Sequence, residues 1–170
     1  MNNATRASAR TASHKPPTLD AAEASALRLW VILSRAHSAV ARHAEADVAR
    51  HGLTIAEFGV LEALYHVGPM LLGELQRKVL VSSGGVTWLV DRLEKRHLVK
   101  REACPEDRRA RYATLTTEGK KLVARIFPDH ARAIEHAMSG LTRGDRERAA
   151  ALLRSLGRAA EALPVSSDVE

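Results

Sequence analysis

The residues of this 170-residue sequence that carry reactive groups do not fall into a catalytic pattern. There is no HExxH pair, no Walker-type phosphate loop, no GxSxG elbow, and the eight histidines are scattered. A single cysteine, Cys104, excludes an internal disulfide and a cysteine-built metal cluster within one chain. His43, Asp47 and His51 share a helix face at i, i+4 and i+8, but the three together span too far for one ion, so a polar stripe is expected and no metal or other cofactor. Enzymatic function is not expected. What the spacing favours is contact with an anionic polymer. Ser82-Ser83-Gly84-Gly85 precedes Thr87, Trp88 and Arg92, and further on stands Asp107-Arg108-Arg109. A glycine costs roughly 1 kcal/mol against alanine inside a helix, so a pair of them in a first turn implies a reason. Without side chains the backbone comes close to a phosphate or base edge, and the free N–H groups at the positive end of the helix favour anions. Ser82, Ser83 and Thr87 add hydroxyls, and Arg92 and Lys95 add charge. Trp88 is large for a solvent-facing position: it packs either on a thymine methyl or sugar, or over a neighbouring helix.

Charge placement agrees. The chain carries 26 Lys and Arg against 20 Asp and Glu, a formal charge of +6. Between Arg77 and Arg111 ten basic residues face five acidic ones, so nearly the whole excess lies in that segment. Such a balance suits nucleic acid. No cationic amphipathic stripe or long apolar run accompanies it, so no membrane association is expected. Met1 to Leu19 lacks the apolar run of a secretory signal, and a cytoplasmic protein is expected.

The elements that must position these residues are mostly helical, as an Ala-, Leu- and Arg-rich composition with 4% aromatics favours. Residues 1–18 are too poor in large apolar groups to pack and read as a disordered basic tail. Residues 19–164 read as one domain, and 165–170 as a frayed end. Asp20 and Glu23 form a capping box that opens a first helix running to Gly52, and Thr54 and Glu57 form a second box opening a helix that ends at Gly68-Pro69. A short helix covers 71–79, and Ser82 opens a fourth, with Val86, Leu89, Val90 and Leu93 on one face. Strands at 99–103 and 111–115 make a β-hairpin with a basic tip. Thr116 or Thr117 caps a fifth helix containing Pro128, and Thr142 with Asp145 caps a last one that stops at Pro164. The fold class is mainly α with a small β-hairpin wing: a winged helix-turn-helix over about 53–117, flanked by long helices at about 20–51 and 117–163. The apolar stripes of those flanking helices need cover, which a homodimer supplies.

Several runs together resemble one family. Leu53-Thr54 with Phe58-x-Val60-Leu61, Leu80 to Thr87, Val90-Asp91-Arg92-Leu93-Glu94 with Leu98-Val99, Asp107-Arg108-Arg109, and Leu115-Thr116-x-x-Gly119 are similar to the DNA-binding core of the MarR family. The resemblance implies that the fourth helix is the recognition helix, that Arg109 enters the minor groove with Asp107 positioning it, and that a two-fold dimer binds a pseudo-palindromic operator in double-stranded DNA. Repression is the family tendency. The run Glu62 to Pro69, with Ala103 to Arg109 and Ile126 to His130, is most similar to the quinone-responsive branch, which implies a small aromatic effector, a quinone or a phenol. Trp30, Ser34 and His37 on the first helix, with Ile55 and Phe58 on the second, are either a pocket for it or ordinary dimer core. Two alternatives stand beside this reading: a thiol-based redox sensor using Cys104, and a nonspecific architectural DNA binder.

Overall fold

The computed structural model describes residues 18–79, 83–104 and 110–164. The predicted tail at 1–18, save its last residue, and the one at 165–170 lie outside the described residues. The elements in chain order are α1 (Ala21–Ala49), α2 (Ile55–Val67), β1 (Met70–Leu71), α3 (Leu72–Val79), α4 (Ser83–Lys95), β2 (Val99–Ala103), β3 (Arg111–Leu115), α5 (Thr117–Ala137) and α6 (Arg143–Glu161). The chain divides into two compact units, residues 1–37 and 38–170.

The helix starts are set by local hydrogen bonds. Asp20 N–H donates to Glu23 Oε2 and Glu23 N–H to Asp20 Oδ1, both at 2.8 Å, which opens α1. Thr54 Oγ1 accepts from Glu57 N–H at 3.1 Å while Glu57 Oε2 accepts from Thr54 N–H at 2.8 Å, which opens α2. Thr116 and Thr142 accept from Gly119 N–H and Asp145 N–H at the starts of α5 and α6. Gly68, at φ +94°, ends α2 in a conformation that side-chain-bearing residues avoid.

In the 38–170 unit the core gathers Val48 from α1, Phe58 and Leu61 from α2, Leu75 from α3, Val90 and Leu93 from α4, Val99 and Leu115 from the sheet, and Val123 and Ile126 from α5. The sheet is antiparallel in the order β1-β3-β2, with Met70 opposite Ala113 and Val99 opposite Leu115. The two strands expected from sequence lie at 99–103 and 111–115 as read. A third, β1, pairs only two residues of the segment after Gly68-Pro69. Two residues carry no alternation pattern, so only tertiary pairing defines them.

Apolar surface remains uncovered within each unit. In the 1–37 unit Leu27, Trp30 and Ile32 are all more than half exposed. In the 38–170 unit α6 has no buried residue, and Leu152 stands 73% exposed. Among the described residues no helix is long and apolar enough to cross a membrane.

The Leu-Thr-x-x-Gly run has a geometric cause. Thr116 Oγ1 donates to His97 O at 2.7 Å, Thr116 N–H donates to Leu98 O at 3.1 Å, and the next turn of α5 lies directly on that carbonyl. A Cβ at Gly119 would stand 2.0 Å from Leu98 O, a backbone atom that cannot rotate away. Gly119→Ala is expected to destabilise the protein by about 3 kcal/mol, read by chemical denaturation; a loss under about 1 kcal/mol would show that the α4–β2 turn yields easily.

A second constraint is polar. Asp47 of α1, 3% exposed, lies 2.9 Å through Oδ2 from His130 Nδ1 of α5, and its other oxygen accepts from Arg50. The His130 ring packs on Phe58, centroids 4.6 Å apart. Burial pushes the Asp47 carboxyl up, but the hydrogen bonds from His130 and Arg50 and the charge of both hold it below its usual value. A carboxyl whose pKa falls on folding contributes stability that is in place above the unfolded value, about 4, and is lost as the pH falls through the folded one. Asp47→Asn should therefore destabilise at pH 7 by about 1–3 kcal/mol. The deficit should narrow below pH ~4. Denaturation curves at pH 7 and pH 3 check this, and an equal deficit at both would assign the stability to something other than the ionised carboxylate.

Candidate nucleic-acid interface

α4 sorts its residues by face. Val86, Leu89, Val90 and Leu93 are buried, and Thr87 and Trp88 are exposed on the other side, Trp88 by 54%. Of the two packing options for Trp88, its environment is a cation from its own helix: the Arg92 guanidinium lies over the indole, 4.7 Å from the ring centroid. Gly84 and Gly85 occupy the first turn of α4. Ser82 and the side chain of Ser83 lie outside the described residues.

Arg92 has a second engagement. Its Nε lies 3.1 Å from Oε1 of Glu57, which is 1% exposed. Arg96, one turn further along α4, places Nη1 3.7 Å from the same oxygen and donates to Gly52 O at 3.0 Å. Oε1 has no aligned hydrogen-bond donor among the described residues, so charge rather than a formed bond satisfies it. Arg92, a predicted DNA contact, lies between a buried carboxylate and an exposed indole, with its side chain 43% exposed.

The wing is bolted to the same helix. Arg101 of β2, with a side chain 23% exposed, reaches Asp91 Oδ1 at 2.6 Å and Glu94 Oε2 at 2.8 Å, and donates to Thr87 O at 3.3 Å. Glu94 Oε1 also accepts the Arg101 backbone N–H at 3.1 Å. On the wing face Lys100 pairs with Glu102 at 2.6 Å and, with Thr114, holds that carboxyl below its usual value. The described carboxylates of the basic segment, Asp91, Glu94 and Glu102, are thus engaged internally. Asp107, Arg108 and Arg109, the predicted wing tip, lie outside the described residues. At the wing's base Cys104 is buried and its backbone N–H donates to Ala110 O at 3.3 Å.

Of the proposed effector residues, Ile55 and Phe58 line a cavity of about 570 Å³, together with Ala56, Gly59, His66 and His130. The edge of His66 meets Phe127 at 4.8 Å between centroids. Trp30, Ser34 and His37 belong to the 1–37 unit, where Trp30 is 65% exposed, His37 is exposed and Ser34 half-buried. Of the predicted polar stripe, His43 and Asp47 lie on α1, which ends at Ala49, and His51 lies in the turn beyond it; Asp47 is committed to His130 and Arg50.

Three residues of consequence escaped the sequence reading. Glu57 was read only as a cap, although a Glu at that helix position also faces the next layer. Arg101 sits on a strand, where alternation alone does not reveal a partner seven residues back. His130 stands four residues after Ile126, a helical spacing that marks the core face of α5.

Comparison with known proteins places these features. Residues 51–110 match the model of the MarR family. The HTH-type transcriptional regulator MhqR of Bacillus subtilis is 40% identical over 131 residues, 77% of this chain and 90% of that protein. The MarR family regulator Sco3205 of Streptomyces coelicolor, solved in complex with DNA, superposes with a TM-score of 0.73 at 26% identity, covering 91% of this chain and 97% of that one. BpsR of Bordetella bronchiseptica, whose DNA binding is regulated by 6-hydroxynicotinic acid, superposes with a TM-score of 0.69 at 28% identity over 74% of this chain and 90% of its own. With α4 and the wing joined as a winged helix-turn-helix, and with these relatives across most of its length, the chain belongs to the MarR family of DNA-binding transcriptional regulators.

Proposed function

We propose that the protein is a cytoplasmic homodimeric repressor that holds a pseudo-palindromic operator and is released from it by a small aromatic compound, a quinone or a phenol. The observation that carries the DNA half is the exposed face of α4, with a glycine-rich first turn, Thr87 and Trp88, fixed through Arg101 to the strand that leads into the basic wing. Ser82, Ser83, Gly84, Gly85, Thr87, Trp88 and Arg92 then meet the major groove, and Arg108 and Arg109, oriented by Asp107, meet the adjacent minor groove. The uncovered apolar residues of α1 and α6 support the dimer, since patches of that kind need a partner surface. Two copies read half-sites about one helical turn apart.

The effector half rests on the cavity beside Ile55 and Phe58. Its volume of about 570 Å³ suits a small molecule, and the exposed Ile55 and His66 on its wall offer an apolar side chain and an imidazole to a planar, oxygen-bearing one. The action of 6-hydroxynicotinic acid on BpsR is a precedent for an aromatic effector in a related fold.

Selection from a pool of random duplexes is expected to return an inverted repeat preferred over scrambled DNA by roughly 10³ or more. No preference, with a steep salt slope, would mark a nonspecific architectural protein instead. Arg109→Ala should weaken operator binding at least about tenfold and reduce the salt slope by about one; unchanged affinity would remove the wing tip from the interface. A panel of quinones and phenols should release the operator from wild-type protein and from Cys104→Ser alike, whereas Ile55→Trp, which fills the cavity mouth, should resist release. Release lost in Cys104→Ser and kept in Ile55→Trp would transfer sensing from the cavity to the thiol.

A further inference from the structure

We infer that Glu57 is a positioning residue for operator selectivity: a buried carboxylate on α2 that holds the Arg92 guanidinium against Trp88, and so fixes how the recognition helix presents its indole. The inference rests on the DNA-binding role of α4. Glu57 is 1% exposed, yet only one of its oxygens is used by its own helix, where Oε2 accepts from Thr54 N–H at 2.8 Å. The other, Oε1, faces Arg92 Nε at 3.1 Å and Arg96 Nη1 at 3.7 Å. Arg96 is held independently through Gly52 O. Arg92 has no such backbone anchor among the described contacts, and its remaining engagement is the Trp88 ring at 4.7 Å. The order of dependence is therefore cap, carboxylate, guanidinium, indole. A guanidinium held at Nε by a buried anion follows the phosphate backbone less freely than an unpaired one, so we assign it chiefly to limiting the rotamers of Trp88.

A leucine or alanine at this position would remove the cap together with the charge. Glutamine separates them, because it can still accept from Thr54 N–H as the third residue of a capping box but carries no charge for Arg92. Glu57→Gln is tested in the full-length dimer against two probes: the best duplex selected from a random pool by wild-type protein, and a scrambled duplex of the same composition. Freeing Arg92 is expected to lower the ratio of the two affinities about tenfold, while binding to the scrambled duplex strengthens and its salt slope steepens by about one, as one more cation reaches a phosphate. A merely structural defect would weaken both probes and leave the slope alone. In a Trp30→Phe background, where Trp88 is the sole tryptophan, its emission should shift on Glu57→Gln.

Arg92→Lys provides a second approach that leaves the carboxylate partnered. The ammonium reaches Glu57 but covers the indole poorly, so selectivity should fall while the salt slope stays. Selectivity retained in either variant, or Trp88 emission unmoved in Glu57→Gln, overturns the inference. Wild-type protein that selects no duplex at all overturns the DNA-binding reading instead, so the two failures are distinguishable.

Discussion

A carboxylate removed from water must be neutralised where it lies, and Glu57 imposes that requirement on the whole DNA-binding unit. Its helix uses one oxygen to close its own first turn and leaves the other without a hydrogen bond among the described residues. α4 must then run so that Arg92 and Arg96, one helical turn apart, both reach over the start of α2. The apolar stripe of α4 from Val86 to Leu93 faces the core from the same orientation, so packing and charge specify one angle. Arg101 then references the wing to α4 through Asp91 and Glu94. Recognition helix and wing are positioned from one buried charge.

The flanking helix is referenced to the same turn. His97, in the left-handed region at φ +57°, reverses the chain between α4 and β2, and its carbonyl and that of Leu98 receive the Thr116 cap of α5. Gly119 must approach Leu98 O without a side chain for that docking to occur. α5 also carries His130 to Asp47 near the end of α1, so within the 38–170 unit a single buried pair ties the last turns of the first helix to the fifth. Hydrogen bonds to charged groups are worth about 1.5–3 kcal/mol each, comparable to burying a leucine, so these few polar joints weigh as much as several core contacts.

Much of this was legible in the sequence, and the division follows the range of the interactions. The helix caps at Asp20, Thr54, Thr116 and Thr142 depend on residues three apart, and residue type alone marks them, except that it leaves Thr116 and Thr117 as alternatives. The wing strands were readable because Val99 to Ala103 and Arg111 to Leu115 flank a turn-rich charged link. β1 was not, since two residues have no period. The pairs Glu57 to Arg92, Asp91 to Arg101 and Asp47 to His130 join different elements, and nothing local to either partner marks the other. Arg92 shows the consequence: residue type marks a charge on the exposed side of α4, and only the structure shows the buried carboxylate of α2 beside it.

The first turn of α2 lies at the meeting point of the two halves of the proposed function. Ala56, Phe58 and Gly59 line the cavity, and Glu57 between them turns to α4. A tenfold loss of operator affinity needs about 1.4 kcal/mol, within the range that a buried polar group costs when it loses its partner. The proposed effector therefore need not swing whole domains to release DNA. Interiors packed at crystal density pass a displacement on rather than absorb it. Under the proposed function, a shift of that turn by a fraction of an ångström would lengthen the Arg92 contact and loosen the indole. The cavity would then act on α4 through Glu57, a residue in the same turn as its own wall, and the coupling would be as short as one helical turn.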